Sequence, residues 1–230
     1  MQNKENDVAT SILTDEQKRA IDVVVEIAKS LPKSVLITDS ICKKATTDNL
    51  QNSIKLVALP GKDIQFVTTK TKSNDNYRTR QFYNIILHLG TVDVLNQLQS
   101  DAQQLDHECI IKKYEILVDL IQRLNVHAKI FISALIPIVN KKYLERGAEN
   151  FIRKVNDGLK VIAIRKANTL FMKTFKLFIQ DGAPAIDRYK PDGVHPRVDQ
   201  YIRLVKFFGQ VKSSKTTGDR RKKLLKFKAY

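Results

Sequence analysis

Five short apolar runs, most of them followed by a helical pattern, constrain this chain more than any other feature. They are SVLITDS, IKLVALPG, YNIILHLG, AKIFISALIPI and TLFMKT, beginning at Ser34, Ile54, Tyr83, Ala128 and Thr169. Their β-branched and leucine residues run on without strict alternation, which suits strands covered on both faces. Residues 106–125 carry Ile110, Ile111, Tyr114, Leu117, Val118, Ile121 and Leu124 at helical spacing. Residues 142–167 carry Leu144, Phe151, Ile152, Val155, Leu159, Ile162 and Ile164 in the same way, and residues 197–209 carry Tyr201, Leu204, Val205 and Phe208. Alternation of this kind predicts an α/β fold: a three-layer α/β/α sandwich around a mostly parallel, five-stranded sheet. Residues 70–80, KTKSNDNYRTR, read as a polar loop.

Ahead of the first run, Thr14 and Gln17 form a capping box for a helix with Ile21, Val24, Val25 and Ala28 on one face, ended by Pro32. Three parts follow: residues 1–33 as a polar segment and helix, residues 34–210 as the main domain, and residues 211–230 as a tail. With 230 residues and 43% hydrophobic content, a sizeable core is expected.

The formal net charge is +16, and it is uneven. The tail holds eight Lys/Arg against one Asp, so +7 of the +16 lies there. Arg220, Arg221, Lys222, Lys223, Lys226 and Lys228 make it a candidate for contact with nucleic acid or an anionic membrane surface. A solvated tail without a partner is the plainer reading. The polar start lacks the apolar core of a signal peptide, and no apolar run is long enough to span a bilayer. A soluble, intracellular protein is expected. Cys42 and Cys109 read as free thiols, and nowhere do histidines and cysteines take metal-ligand spacing, so no metal or other cofactor is expected.

In a parallel sheet of this kind, ligands bind beyond the carboxyl ends of the strands. Asp39 and Ser40 follow the first run, Gly61 follows the second, and Gly90 to Asp93 follow the third. Asp192 and His195 lie on the long stretch after the fifth, within YKPDGVHPRVDQY. A serine hydroxyl becomes a nucleophile when a histidine takes its proton, and a carboxylate fixes the tautomer of that histidine. Backbone N–H groups at Ser40 and Gly61 are placed to serve a tetrahedral oxyanion. His88 reads as a satisfied core histidine, and His107 and His127 as surface residues.

In that order and spacing, VLITDSI, LVALPGKDI, ILHLGTVDVL and DGVHP resemble the four sequence blocks of the SGNH, or GDSL-type, hydrolases. The resemblance runs from about Ser34 to about Gln210. It implies a flavodoxin-like sandwich, with Ser40 as nucleophile, His195 as base and Asp192 as its orienting carboxylate. It also implies an oxyanion and substrate-binding set at Ser40, Gly61, Gly90, Asp93 and the position of Val92. The substrate would be a small ester or acylated molecule, carrying an acetyl or lipid acyl group. In proportions the chain is most similar to the short esterase domains of some non-LTR retrotransposon proteins.

Two positions depart from the blocks. Thr38 stands where the family has the glycine of Gly-Asp-Ser, and Val92 stands where it has an oxyanion-binding asparagine. Valine cannot donate a hydrogen bond, and loss of one oxyanion donor costs roughly 10²–10³ in rate. Thr91 and Asn96 are the nearby residues able to substitute. The departures keep a second reading alive: a catalytically degenerate domain used for binding through its basic tail. A generic flavodoxin-like domain with another ligand ranks last, since no glycine-rich nucleotide motif is present.

Overall fold

The computed structural model describes residues 34–39, 54–73, 82–100 and 104–209, together with Arg19. The N-terminal capping box, Ser40 and the basic tail lie outside the described residues. Five strands form a parallel sheet: β1 (Ser34–Thr38), β2 (Ile54–Ala58), β3 (Asn84–His88), β4 (Lys129–Ser133) and β5 (Thr169–Met172). Their spatial order is β2-β1-β3-β4-β5, with every pairing parallel. The five runs thus supply the five strands of an α/β sandwich, as their composition predicts.

The helices are α1 (Ile64–Ser73), α2 (Thr91–Gln99), α3 (His107–Leu124), α4 (Lys141–Glu145), α5 (Ala148–Arg165) and α6 (Val198–Gly209). Each strand sends alternate side chains to opposite faces. Val35, Ile37, Ile85, Leu87, Ile130 and Ile132 join one core cluster with the apolar stripes of α1, α3 and α5. Leu36, Ile86 and Phe131 point the other way, into a second cluster with Tyr201, Leu204, Val205 and Phe208 of α6. Burial on both faces is why these strands lack a polar alternation. Among the described residues no helix is long and apolar enough to cross a membrane.

Several local expectations are corrected. The polar stretch at 70–80 begins inside a helix, because α1 runs through Ser73. Thr68 and Thr71 bond back to the carbonyls of Ile64 and Val67, which lets polar residues face the core there. The single helix over 142–167 is two helices, α4 and α5, divided at Gly147 with φ +78. That left-handed residue ends one helix and begins the next. Ile164 keeps helical spacing yet is 74% exposed, and Leu144 lies on the short α4 rather than on the long apolar stripe. The fourth run forms a strand only as far as Ser133, and residues 134–140 continue as irregular chain. A two-stranded hairpin, β6 (Ile179–Gln180) and β7 (Ala183–Pro184), interrupts the long stretch after β5.

Candidate active site

The segment from Tyr189 to Pro196 is a closed loop pinned at its base. Tyr189 and Pro196 pair as an isolated bridge, and the Lys190 N–H donates to the His195 carbonyl at 2.8 Å. Inside it, the Gly193 N–H donates back to Lys190 O at 2.9 Å, and Gly193 takes φ +64. Only glycine reaches that conformation without penalty. The turn folds Asp192 against the residues that follow it.

Asp192 and His195 are brought together. Asp192 Oδ1 accepts the backbone N–H groups of Val194 (2.9 Å) and His195 (2.8 Å). Its Oδ2 lies 2.9 Å from His195 Nδ1. A carboxylate can only accept, so Nδ1 carries the proton and Nε2 is the nitrogen left to receive one. Partial burial works against the charge on Asp192. The two amides and the imidazole outweigh it and hold the carboxyl below its ordinary value. The arrangement fixes the ring's tautomer while leaving the dyad open at the surface.

This loop is held by a residue the sequence reading missed. Asn140, at the end of the irregular segment after β4, donates its backbone N–H to Gly193 O (3.2 Å) and its side-chain Nδ2 to Asp192 O (2.9 Å). Its Oδ1 accepts the Lys142 N–H and caps α4. The signal was present as an asparagine before KKYLE, a helix-start residue. The segment is itself anchored by Asn156 of α5. That side chain accepts from Leu135 N at 2.7 Å and donates to Leu135 O at 2.9 Å.

At the other loops, the expected residues take distinct places. Ser40 is outside the described residues; Asp39, its neighbour, is fully buried at the end of β1. Asp39 Oδ2 accepts the N–H of Thr91, the first residue of α2, at 3.0 Å. The end of β1 is thereby tied to the loop after β3. Gly61, with φ +73, follows Pro60 in a turn closed by Lys62 N to Leu59 O at 3.2 Å. Proline then glycine with positive φ is the pattern of a type II turn. Gly90, φ +108, is buried at the entry to α2, with Val92 half-buried and Asn96 exposed one turn later on the same face.

Asp93 is buried and turned inward. It accepts the Ile64 N–H at the start of α1 (3.0 Å) and the Lys113 ammonium (2.9 Å). It therefore braces the loop after β2 rather than its own. Burial pushes its carboxyl up, against the pull of the amide and the ammonium. Thr38, in the place of the family glycine, is fully buried in β1, and its hydroxyl has no hydrogen-bond partner among the described residues.

His88 is a core histidine, but only half satisfied. Thr174 Oγ1 donates to Ala134 O and so accepts from Ser133 Oγ, which in turn accepts from His88 Nδ1 at 2.7 Å. The relay selects the Nδ1–H tautomer and leaves Nε2 buried without a partner among the described residues, beside the Phe208 ring. Burial lowers its pKa to about 4. Among the described residues, no cluster of three or more His, Cys, Asp or Glu is placed to hold a metal ion.

No family model matches the chain, and no curated protein matches it by sequence. Solved structures do match. A GDSL-like lipase from Bacteroides thetaiotaomicron is 14% identical with a TM-score of 0.60, over 85% of this chain and 96% of that one. An acetylxylan esterase from Geobacillus stearothermophilus, solved as a catalytic mutant, is 15% identical with a TM-score of 0.61, over 78% and 93%. A lipase/acylhydrolase from Enterococcus faecalis is 12% identical with a TM-score of 0.59, over 77% and 94%. At these identities the likeness is one of fold, and it extends over nearly the whole of each neighbour.

Proposed function

We propose that this chain, which carries the fold of the SGNH hydrolases, is a serine ester hydrolase acting on an acetyl or acyl ester. The observation that carries the reading is the His195–Asp192 pair, on a rigid loop in the stretch that follows the last strand of the sheet. His195 Nε2 takes the proton of Ser40 Oγ as that oxygen bonds to the ester carbonyl carbon. The resulting oxyanion is met by the backbone N–H groups of Ser40 and Gly61. Collapse breaks the bond to the alcohol, which leaves with the proton from His195. Water then repeats the sequence on the acyl-serine: His195 takes its proton, and the carboxylic acid departs as Ser40 regains one.

Val92 supplies no donor at the position where the family has asparagine, so turnover is expected to be slower by roughly 10²–10³ than with a full set. The test is hydrolysis of p-nitrophenyl acetate by wild type and Ser40→Ala, side by side. Turnover lost in Ser40→Ala, with an unchanged melting curve, supports the reading. Equal background rates in both overturn it for simple esters.

Val92 and Thr38 also favour a second reading, a domain kept for binding with the basic tail at 211–230 as its contact. Binding to nucleic acid that weakens with salt, and is lost when the tail is removed, supports it.

A further inference from the structure

Two grooves run along α6 and meet on it. The larger, about 1160 Å³, lies beside the first turn of the helix, with Val139 and Tyr189 in its floor and Ile186 and Val198 on its rim. The smaller, about 390 Å³, continues past Leu177, Arg203, Lys206 and Phe207. Asp199 and Ile202 line both. From Val198 to Phe207 the helix rises roughly 13 Å, so the two grooves make one trough of about that length. Ile186 and Val198 are 68% and 57% exposed. Lys141, Lys190 and Arg197 stand around the first groove and Arg203 and Lys206 along the second, against Asp199 as the one acidic residue of either lining. Lys141 approaches Glu145, and Arg197 approaches Asp199, only to 4.0 Å. Such loose, exposed pairs offset little of the positive charge.

Shape, apolar surface and charge together select the occupant. A flat bilayer does not reach the floor of a trough, where Val139 and Tyr189 are 8% and 6% exposed. Single-stranded nucleic acid needs exposed aromatic faces to stack on. Here Tyr189 is buried and Phe207 half-buried. A second copy would bring another +16 to a cationic face. What fits is a segment that carries both aliphatic and carboxylate side chains. An amphipathic helix lays its apolar face into a groove at positions i, i+3, i+4 and i+7. We infer that the α6 trough docks an acidic amphipathic helix of a partner protein. Its apolar residues pack against Ile186, Val198 and Ile202, and its Asp and Glu side chains meet the lysines and arginines of the rim. Asp199, where the grooves join, disfavours a carboxylate opposite it, so the acidic residues flank an apolar centre. The trough includes Pro191 and Gly193 of the Asp192–His195 loop. The inference nonetheless goes beyond ester hydrolysis and does not depend on it, since it is read by binding alone. It also differs from contact through the tail, because every residue named belongs to the folded body.

The experiment is selection of a phage-displayed library of random peptides, about four helical turns long, on the full chain. Selected peptides are expected to carry Asp or Glu beside Leu, Ile or Phe at helical spacing. They are then made with a fluorophore and titrated by anisotropy, at several salt concentrations. Wild type is compared with Ile186→Ser/Val198→Ser at one end of the trough and Arg203→Glu/Lys206→Glu at the other. The serine pair loses about tenfold in affinity and keeps its salt dependence. The glutamate pair also loses about tenfold, and its salt dependence flattens. If no peptide is enriched, or the enriched ones lack an acidic bias, the inference is overturned. Binding that both pairs leave unchanged overturns it too, and assigns the peptides to the tail. A loss in only one pair overturns the continuous trough. If both pairs weaken binding to RNA or to phosphatidylserine vesicles as much as to peptide, the face is a general polyanion site and the partner assignment is wrong. As a check that does not depend on the pairs folding, a selected peptide added to isotope-labelled wild type should move the amide resonances of Val198, Ile202 and Lys206 and leave those of α3 in place. Unmoved α6 resonances overturn the inference as well.

Discussion

Gly193 and Asn140 meet backbone to backbone: a Cβ built on Gly193 falls 2.5 Å from the Asn140 nitrogen and 2.6 Å from its Cα. The Gly193 carbonyl accepts from the Val139 N–H at 2.7 Å and from the Asn140 N–H at 3.2 Å. The loop that holds the Asp–His pair is therefore docked on the chain after β4 backbone to backbone, beside the Asn140 side-chain bond to Asp192 O, at a distance that has no room for a Cβ on Gly193.

Gly193→Ala should combine a left-handed strain with that clash. A loss of about 2 kcal/mol is expected, read as a lowered midpoint in urea unfolding. Ester turnover should fall more than stability does, because the loop must lift away from Asn140 and take His195 with it.

Asp192→Asn keeps the shape of the dyad but gives Nδ1 a neutral partner. A drop in turnover of about 10³–10⁴ is expected if His195 is the base, measured as kcat on an activated ester. The same carboxylate gives a pH signature. Its folded value lies below 3.8, so its contribution to stability is full at neutral pH and is lost as pH falls through the folded value. Wild type and Asp192→Asn should converge in stability only in that acid range.

His88 predicts a different window. Its pKa falls from 6.5 to about 4 on folding, so the unfolded chain binds a proton more readily between those values. Stability should rise with pH across that interval, by about 3 kcal/mol in total, and be flat above it. His88→Gln retains a donor for Ser133 and removes the titration. Denaturant titrations at a series of pH values should show the slope vanish in this variant.

Asn156→Leu leaves both the N–H and the carbonyl of Leu135 without their side-chain partner in a buried place. About 2–4 kcal/mol of destabilisation is expected. Because Leu135 anchors the segment that ends at Asn140, hydrogen exchange at Gly193 and His195 should quicken as well. Unchanged exchange there would mean the segment is held by other contacts.

The sheet was legible because its code is local. Each strand is a few consecutive apolar residues, and burial on both faces leaves an unbroken run such as Asn-Ile-Ile-Leu-His at β3. The Asp192–His195 contact was legible for the same reason, since the partners are three residues apart. What the sequence concealed is nonlocal. Nothing near Asn140 says that its side chain will reach Asp192, and nothing near Asp93 says that it will clamp the start of α1 through Ile64. Helix interruption at Gly147 was hidden in another way: the apolar spacing continues across it, and only a backbone angle marks the break. Ile164 followed the periodicity yet faces outward, because a helix of this length presents more apolar positions than its neighbours cover.

The order of the sheet also sets a timetable. β1 lies between β2 and β3, so the strand made first can be flanked on both sides only after β3 has been synthesised. The loop with Asp192 and His195 comes after all five strands, and the helix that closes the second core, α6, comes later still. A chain emerging from the ribosome can thus assemble much of the scaffold before it has any acid–base pair at all. The Asp192–His195 pair is added to a sheet whose strands have all been synthesised before it.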